Sequence, residues 1–277
     1  MPRHRGKYNP ANPEPYELSR SKIEAFIKCP ACFWLEKAAG IKYPSMPGFL
    51  LNTNTDTLLK KDFDQYRGKG PHPLMAQSGL GHLRPFAHKY MDKWVQSTHF
   101  GASPQHFNTV HQATNILFGG GLDDVWENIE TGELHVVDYK STAQMGANTK
   151  PLDESFIAPP VEAKTPDYKA GYRRQMDMYQ WILRQRGYQV SDTGYFVYVD
   201  GQHNGINGML DPSNPSQAHM HFNVAVIPYH GSDAWVEDVL AQAKACLEMP
   251  SCPEHDHACE YGTFIHAVNQ ITHEQNT

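Results

Sequence analysis

The sequence has no long apolar run. No stretch approaches the roughly 18 residues that a bilayer crossing requires, since even residues 222–227 are interrupted by Asn223 and stopped by Pro228. No apolar segment follows the basic start either: Met1, Pro2, Arg3, His4, Arg5, Gly6 and Lys7 lead into polar sequence. A secretory signal is therefore not expected, and a cytoplasmic location is. Positive charge is not in excess. The chain carries 24 basic and 30 acidic residues, a net charge of -6 with its 16 histidines neutral. Taken whole, such a molecule does not attract polyanions, so a nucleic-acid role must rest on a local basic surface or on bound cations. Cysteine is scarce and odd in number: five residues argue against a disulfide framework and leave metal ligation or burial. Internal repeats and low-complexity tracts are missing. So is a Gly-x-x-x-x-Gly-Lys phosphate loop, because the glycine triplet 119–121 opens a strand and not a helix.

What is there suits a globular α/β protein. With 277 residues, 40% of them hydrophobic, the chain can bury a sizeable core as one large domain or two small ones. Pro2, Pro10, Pro13 and Pro15 mark residues 1–18 as an irregular arm. A capping box, Ser21 with Glu24, predicts a helix whose inward residues are Ile23, Phe26 and Ile27. Further helices are expected over 53–63 with Leu58, Leu59 and Phe63 inward, over 83–94, over 165–186 and over 233–247. Strands are expected over 110–118, 122–127, 134–139, 194–199 and 221–227, with Glu130, Thr131 and Gly132 turning a hairpin. Helices enclosing a mixed sheet in one domain, residues 19–245, followed by a Cys- and His-containing tail over 246–277 packed on it, is the economical architecture.

The hairpin carries the chemistry. If its turn is centred between Glu130 and Thr131, residues whose numbers sum to 261 face each other, and Asp123 faces Asp138. Opposed carboxylates repel across a sheet, and a hard divalent cation is their natural neutraliser. Lys140, two residues beyond Asp138, shares its face. Two acids around a cation, with an ammonium beside them, suit phosphodiester hydrolysis; two surface aspartates on an exposed hairpin is the plainer alternative. On the 165–186 helix, Tyr168, Tyr172, Gln175, Tyr179 and Ile182 form one stripe. Gln175 within that stripe needs a hydrogen-bond partner, in the active site or simply at the edge of an aromatic core. Arg173 and Arg174 could meet a nucleic-acid backbone or solvent.

The run Gly120, Gly121, Leu122, Asp123, then Val136, Val137, Asp138, Tyr139, Lys140, Ser141, Thr142 resembles the PD-(D/E)xK nuclease superfamily, in its RecB-like branch with the Cas4 and AddB nuclease domains. Ser19, Ser21, Ile23, Phe26, Cys29 and Pro30 resemble the opening helix of that branch, and Gln175 and Tyr179 its Gln-x-x-x-Tyr signature. The resemblance implies a restriction-endonuclease-like domain with a central mixed β-sheet flanked by helices. It also implies a Mg²⁺- or Mn²⁺-dependent nuclease, exonuclease or endonuclease, acting on DNA, with RNA compatible with the same residues. Asp123 and Asp138 would hold the metal, Lys140 would assist the attacking water, and Gln175 and Tyr179 would support the site. The branch takes a further ligand, a histidine, from a helix before the hairpin; in the corresponding segment, residues 52–59, Asp56 stands in its place, with His82 and His88 as rivals. No helicase segment accompanies these motifs, so a motor or repair partner would be a separate chain. A nucleic-acid-binding or assembly module with little cleavage is the alternative that the acidic charge and the missing histidine suggest.

Cys29 and Cys32 form a Cys-x-x-Cys, while Cys252 and Cys259 lie near the end of the chain. Some AddB and Cas4 proteins bind a [4Fe-4S] cluster through one cysteine before the nuclease core and three after it. The layout here resembles that in part, with Gly262 where a last cysteine is expected. Cys29, Cys32, Cys252 and Cys259 are the candidate cluster ligands. A zinc site from the same residues, with His255 or His257 substituting, is the alternative, and plain burial, as expected for Cys246, is the third.

Overall fold

A computed structural model describes residues 3–42, 48–96, 103–146, 149–162 and 165–274. The chain groups into two units, each drawn from separate stretches: residues 1–46, 96–121 and 233–277 in one, 47–95 and 122–232 in the other. The boundaries expected after residues 18 and 245 therefore do not coincide with those of the units.

In the first unit, β1 (Tyr16–Ser19) pairs in parallel with β4 (Ile116–Gly119), which pairs antiparallel with β3 (Asn108–His111). The arm expected to be irregular thus ends in a strand, in which Tyr16 and Leu18 are buried. Strand pairing up to Ser19 sets where α1 (Arg20–Lys28) begins. Ser19 is the N-cap, and the predicted Ser21–Glu24 capping box does not form because Ser21 already lies inside the helix. Pro30 disfavours helical backbone at the residue before it. Cys29 is accordingly extended (φ -162°), ending α1, and α2 (Pro30–Trp34) starts afresh with proline in its first turn. A π-helical turn, Leu35–Ala39, follows. The expected strand over 110–118 is instead the β3–β4 hairpin: Asn115 takes a left-handed φ of 52°, a conformation that asparagine tolerates better than most residues. The helix α8 (Val236–Leu247) packs against α1, and α9 (Glu260–Glu274), which the sequence reading missed, follows.

The second unit holds a five-stranded mixed sheet flanked by helices, in the order β10 (His221–His230), β7 (Thr193–Gln202), β6 (Leu134–Thr142), β5 (Asp124–Asn128), β2 (Leu83–Pro85). β6 and β7 run parallel and the other neighbours antiparallel. Its helices are α3 (Leu50–Asp64), α4 (Pro73–Gln77), α5 (Met91–Trp94), α6 (Glu154–Ile157) and α7 (Ala170–Gln185), and β8 (Leu210–Asp211) pairs with β9 (Asn214–Ala218). The β5–β6 register is the expected one: Asp124 faces Val137 and Glu127 faces Leu134, each pair summing to 261. Of the predicted helix over 83–94, only α5 (Met91–Trp94) is helical, and residues 83–85 form β2 instead. Pro85 has no N–H to give a helix but fits an edge strand, and β2 lies at the sheet edge, paired with β5. Nor does α7 begin at Thr165; it starts at Ala170, and Tyr168 is 84% exposed.

The alternation of side chains along a strand places Val137 and Tyr139 on one face of β6, in a core with Phe63, Trp126 and Tyr195. Phe63 stacks on Trp126 and Tyr139 with ring centres 5.4 and 5.6 Å apart, and Trp126 stacks on Tyr195 at 5.4 Å. Such pairs add about 0.5–1.5 kcal/mol each beyond burial. They anchor α3 through Phe63, with Leu59 packed at the margin, whereas Leu58, expected inside, is 51% exposed. The other face of β6 carries Val136, Asp138 and Lys140. No helix among the described residues is long and apolar enough to cross a membrane.

Candidate active site

All of the expected active-site residues lie in the second unit. Asp123 immediately precedes β5, at the position where the ladder would put it opposite Asp138. The ladder stops one pair short, and the Asp123 carboxylate takes over the missing rung: its Oδ2 accepts the Tyr139 backbone N–H at 2.9 Å. Asp138 is buried. Its Oδ1 accepts a hydrogen bond from the Gln175 amide (Nε2) at 2.7 Å, and its Oδ2 pairs with the Lys140 ammonium. That ammonium also sits 4.8 Å from the centre of the Tyr172 ring, a cation–π contact.

On α3, Asp56 and Lys60 stand one turn apart. The Lys60 ammonium bridges Asp56 Oδ2 at 2.9 Å and Asp123 Oδ1 at 3.3 Å. Lys60 is the residue that the sequence reading missed; the Asp56-x-x-x-Lys60 spacing, which puts both on one helix face, was its available signal. The structure thus brings Asp56, Asp123, Asp138, Lys140 and Gln175 together, although the three carboxylates are not drawn within 4.8 Å of one another.

The two hairpin acids are driven apart in proton affinity. Burial, opposed by Lys140 and aided by the charge of Asp123, raises Asp138 to about 7. Burial also acts to raise Asp123, but Lys140, Lys60 and the Tyr139 N–H outweigh it and hold the carboxyl below its ordinary range. Asp56 is raised by burial and by the charge of Asp123. Both lysines resist the desolvation that would lower them, because the facing carboxylates raise them more. One acid ionised beside one that holds its proton near neutrality is a pairing in which roles can differ.

Gln175 is held against Asp138 by a close approach of α7 to the sheet. A Cβ at Gly194 on β7 would collide with the Met176 thioether and come 2.9 Å from the Val136 carbonyl oxygen, so only glycine lets the helix sit this close. Tyr179, one turn on, is buried. Arg173, proposed for a nucleic-acid backbone, donates to the Ile157 carbonyl at 2.6 Å and pairs with Asp167. The rival histidines serve elsewhere. His82 is exposed; His88 lies tilted against the Trp94 ring with centres 4.1 Å apart, accepts the Tyr90 N–H at Nδ1, and has Nε2 within 3.2 Å of the Tyr188 hydroxyl.

In the first unit, the Cys29–Pro30 break brings Cys29 and Cys32 beside Cys259 and His255, and these four could bind a metal ion. Cys252, an expected ligand, is exposed and outside this group. Burial opposes ionisation of Cys29, yet the backbone N–H groups of Cys32 and Asp256, with His255, lower its thiol to about 7. Burial and the neighbouring Cys259 and Cys29 push Cys32 up. Cys246 is a buried small hydrophobe. No protein-family model matches this chain, and no curated protein does either.

Proposed function

We propose that the second unit is a metal-dependent phosphodiesterase acting on nucleic acid, most simply a DNA nuclease of the RecB-like kind. The observation that carries this reading is the convergence of Asp123 and Asp138 beside Lys140, with Gln175 bound to Asp138. The donor set fits a hard divalent ion such as Mg²⁺ or Mn²⁺, being carboxylate oxygens, and two of the three acids already share one cationic group, the Lys60 ammonium. Asp123, Asp138 and Asp56 would hold the ion. When bound it would polarise a phosphoryl oxygen and acidify a coordinated water. Gln175 fixes one oxygen of Asp138 and so orients the other. Lys140 supplies a fixed positive charge to the oxyanion that develops at phosphorus, and Tyr172 limits where its ammonium can go.

Cleavage of single- and double-stranded DNA should require Mg²⁺ or Mn²⁺. Asp138→Asn and Lys140→Ala should each lower the rate by about a hundred- to a thousandfold, the scale of a lost electrostatic stabiliser, with circular dichroism unchanged. Cleavage that survives both substitutions rules the site out. One observation favours a second reading, a binding or assembly module on the same scaffold: the acids are already neutralised by Lys60 and Lys140. That reading expects DNA binding in EDTA, unaltered by Asp138→Asn, with no cleavage.

A further inference from the structure

The four-residue group of the first unit has the dimensions of a mononuclear site. His255 Nδ1 lies 3.5 Å from Cys29 Sγ and 3.7 Å from both Cys32 Sγ and Cys259 Sγ; Cys32 Sγ lies 3.4 Å from Cys259 Sγ. With Zn–S of about 2.3 Å and Zn–N of about 2.0–2.1 Å, the edges of a tetrahedron are about 3.8 Å between sulfurs and about 3.6 Å between sulfur and nitrogen. A disulfide is ruled out by the same lengths, since its sulfurs stand about 2.05 Å apart. A [4Fe-4S] cluster does not fit either. Its four cysteines each ligate a different iron around a cube, which spreads their sulfurs well beyond this spacing, and here the fourth donor is an imidazole while Cys252 stands outside, its Sγ 3.9 Å from the Ala31 carbonyl oxygen.

We propose that Cys29, Cys32, Cys259 and His255 form a structural Zn²⁺ site of the Cys₃His type, which ties the C-terminal helix α9 to the junction of α1 and α2. Three thiols lose their protons to the solvent as the ion binds, and the imidazole coordinates as the neutral base through Nδ1. The surroundings are built for this. Four protein donors fill the positions of a tetrahedral ion, as in closed structural sites, and three of them, Cys29, Cys32 and Cys259, are buried. The Gly262 N–H points at Cys259 Sγ at 3.3 Å, the kind of outer hydrogen bond that tunes a ligating sulfur. Gly262 has a further role: a Cβ there would come 2.6 Å from His255 Cγ. The position where a resemblance to cluster proteins expects cysteine is thus kept side-chain-free by the histidine that replaces it.

The test uses the full chain, purified without chelators from cells supplied with both zinc and iron. Elemental analysis should find a single zinc per chain without acid-labile sulfide, and Co²⁺ in its place should give the ligand-field and thiolate charge-transfer bands of a tetrahedral S₃N site. Cys252→Ser should keep its zinc. His255→Ala and Cys259→Ser should lose it, Gly262→Ala should bind it about 10- to 100-fold more weakly, and chelation should speed hydrogen exchange in residues 255–272. Iron with matching sulfide, a metal-free wild type that shows no Co²⁺ bands, or zinc lost from Cys252→Ser as fully as from Cys259→Ser would each overturn the assignment. None of these readouts depends on nuclease activity.

Discussion

Lys60 occupies ground that a divalent ion would contest. Its ammonium holds Asp56 and Asp123 together, so Lys60→Met should leave both carboxylates to the metal and lower the half-saturating Mg²⁺ concentration about tenfold. Isothermal titration of Mg²⁺ into wild type and variant measures this, and unchanged or weaker binding would show that Lys60 does not compete. His135, also on β6, is a titrating group outside this cluster of acids. It is buried, its Nδ1–H donates to the Thr193 carbonyl at 2.8 Å, and burial lowers its pKa from the ordinary value. The folded chain therefore takes up this proton later than the unfolded chain does. Stability contributed by the neutral ring is present above about pH 6.5 and is lost as pH falls below it, by at most about 1.4 kcal/mol per pH unit. Denaturant midpoints measured between about pH 7 and 5 should fall less steeply in His135→Gln than in wild type.

At the scale of elements, the close approach at Gly194 links stability to the site. Gly194→Ala must push Met176, and with it α7, away from the sheet. The expected cost is about 1–3 kcal/mol, together with a loss of cleavage that exceeds any loss of folded protein, because Gln175 is the neighbour of the displaced residue. A variant that is fully stable and fully active would refute the coupling. The elements also explain what could be foreseen. The β5–β6 register followed from one turn and the period of two, and it delivered Asp123, Asp138 and Lys140 to one place. The stripe of α7 likewise placed Gln175. Tertiary pairing overrode local pattern in two places: the start of 83–94 looks helical until Pro85 is needed at a sheet edge, leaving only Met91–Trp94 as helix, and 110–118 look like one strand until Asn115 turns them. Lys60 escaped because its role depends on which face α3 presents, and Leu58 was misplaced for the same reason. His255 could be named only as a substitute for cysteine, since nothing local reveals that Cys252 points elsewhere.

Across the whole molecule, net charge and site charge have different tasks. A chain of net charge -6 gains little from long-range attraction to a polyanion, so association with DNA should rest on few phosphate contacts and on added divalent ions. The logarithm of the DNA association constant should therefore fall only shallowly with the logarithm of salt concentration in EDTA, with a slope of magnitude under about 3; fluorescence anisotropy measures it, and a slope near that of strongly basic binders would reveal a cationic groove. Zinc chelation acts on other residues entirely. It should lower the melting temperature, and the first unit, which holds the cysteines, should be where protection is lost. The Asp123 carboxylate that replaces a ladder rung has one more consequence. Because it is the acceptor for the Tyr139 amide, any newcomer that draws on that carboxylate must weaken this donor's bond, and the ¹⁵N resonance of residue 139 becomes an intrinsic gauge of occupancy, legible without substrate or turnover.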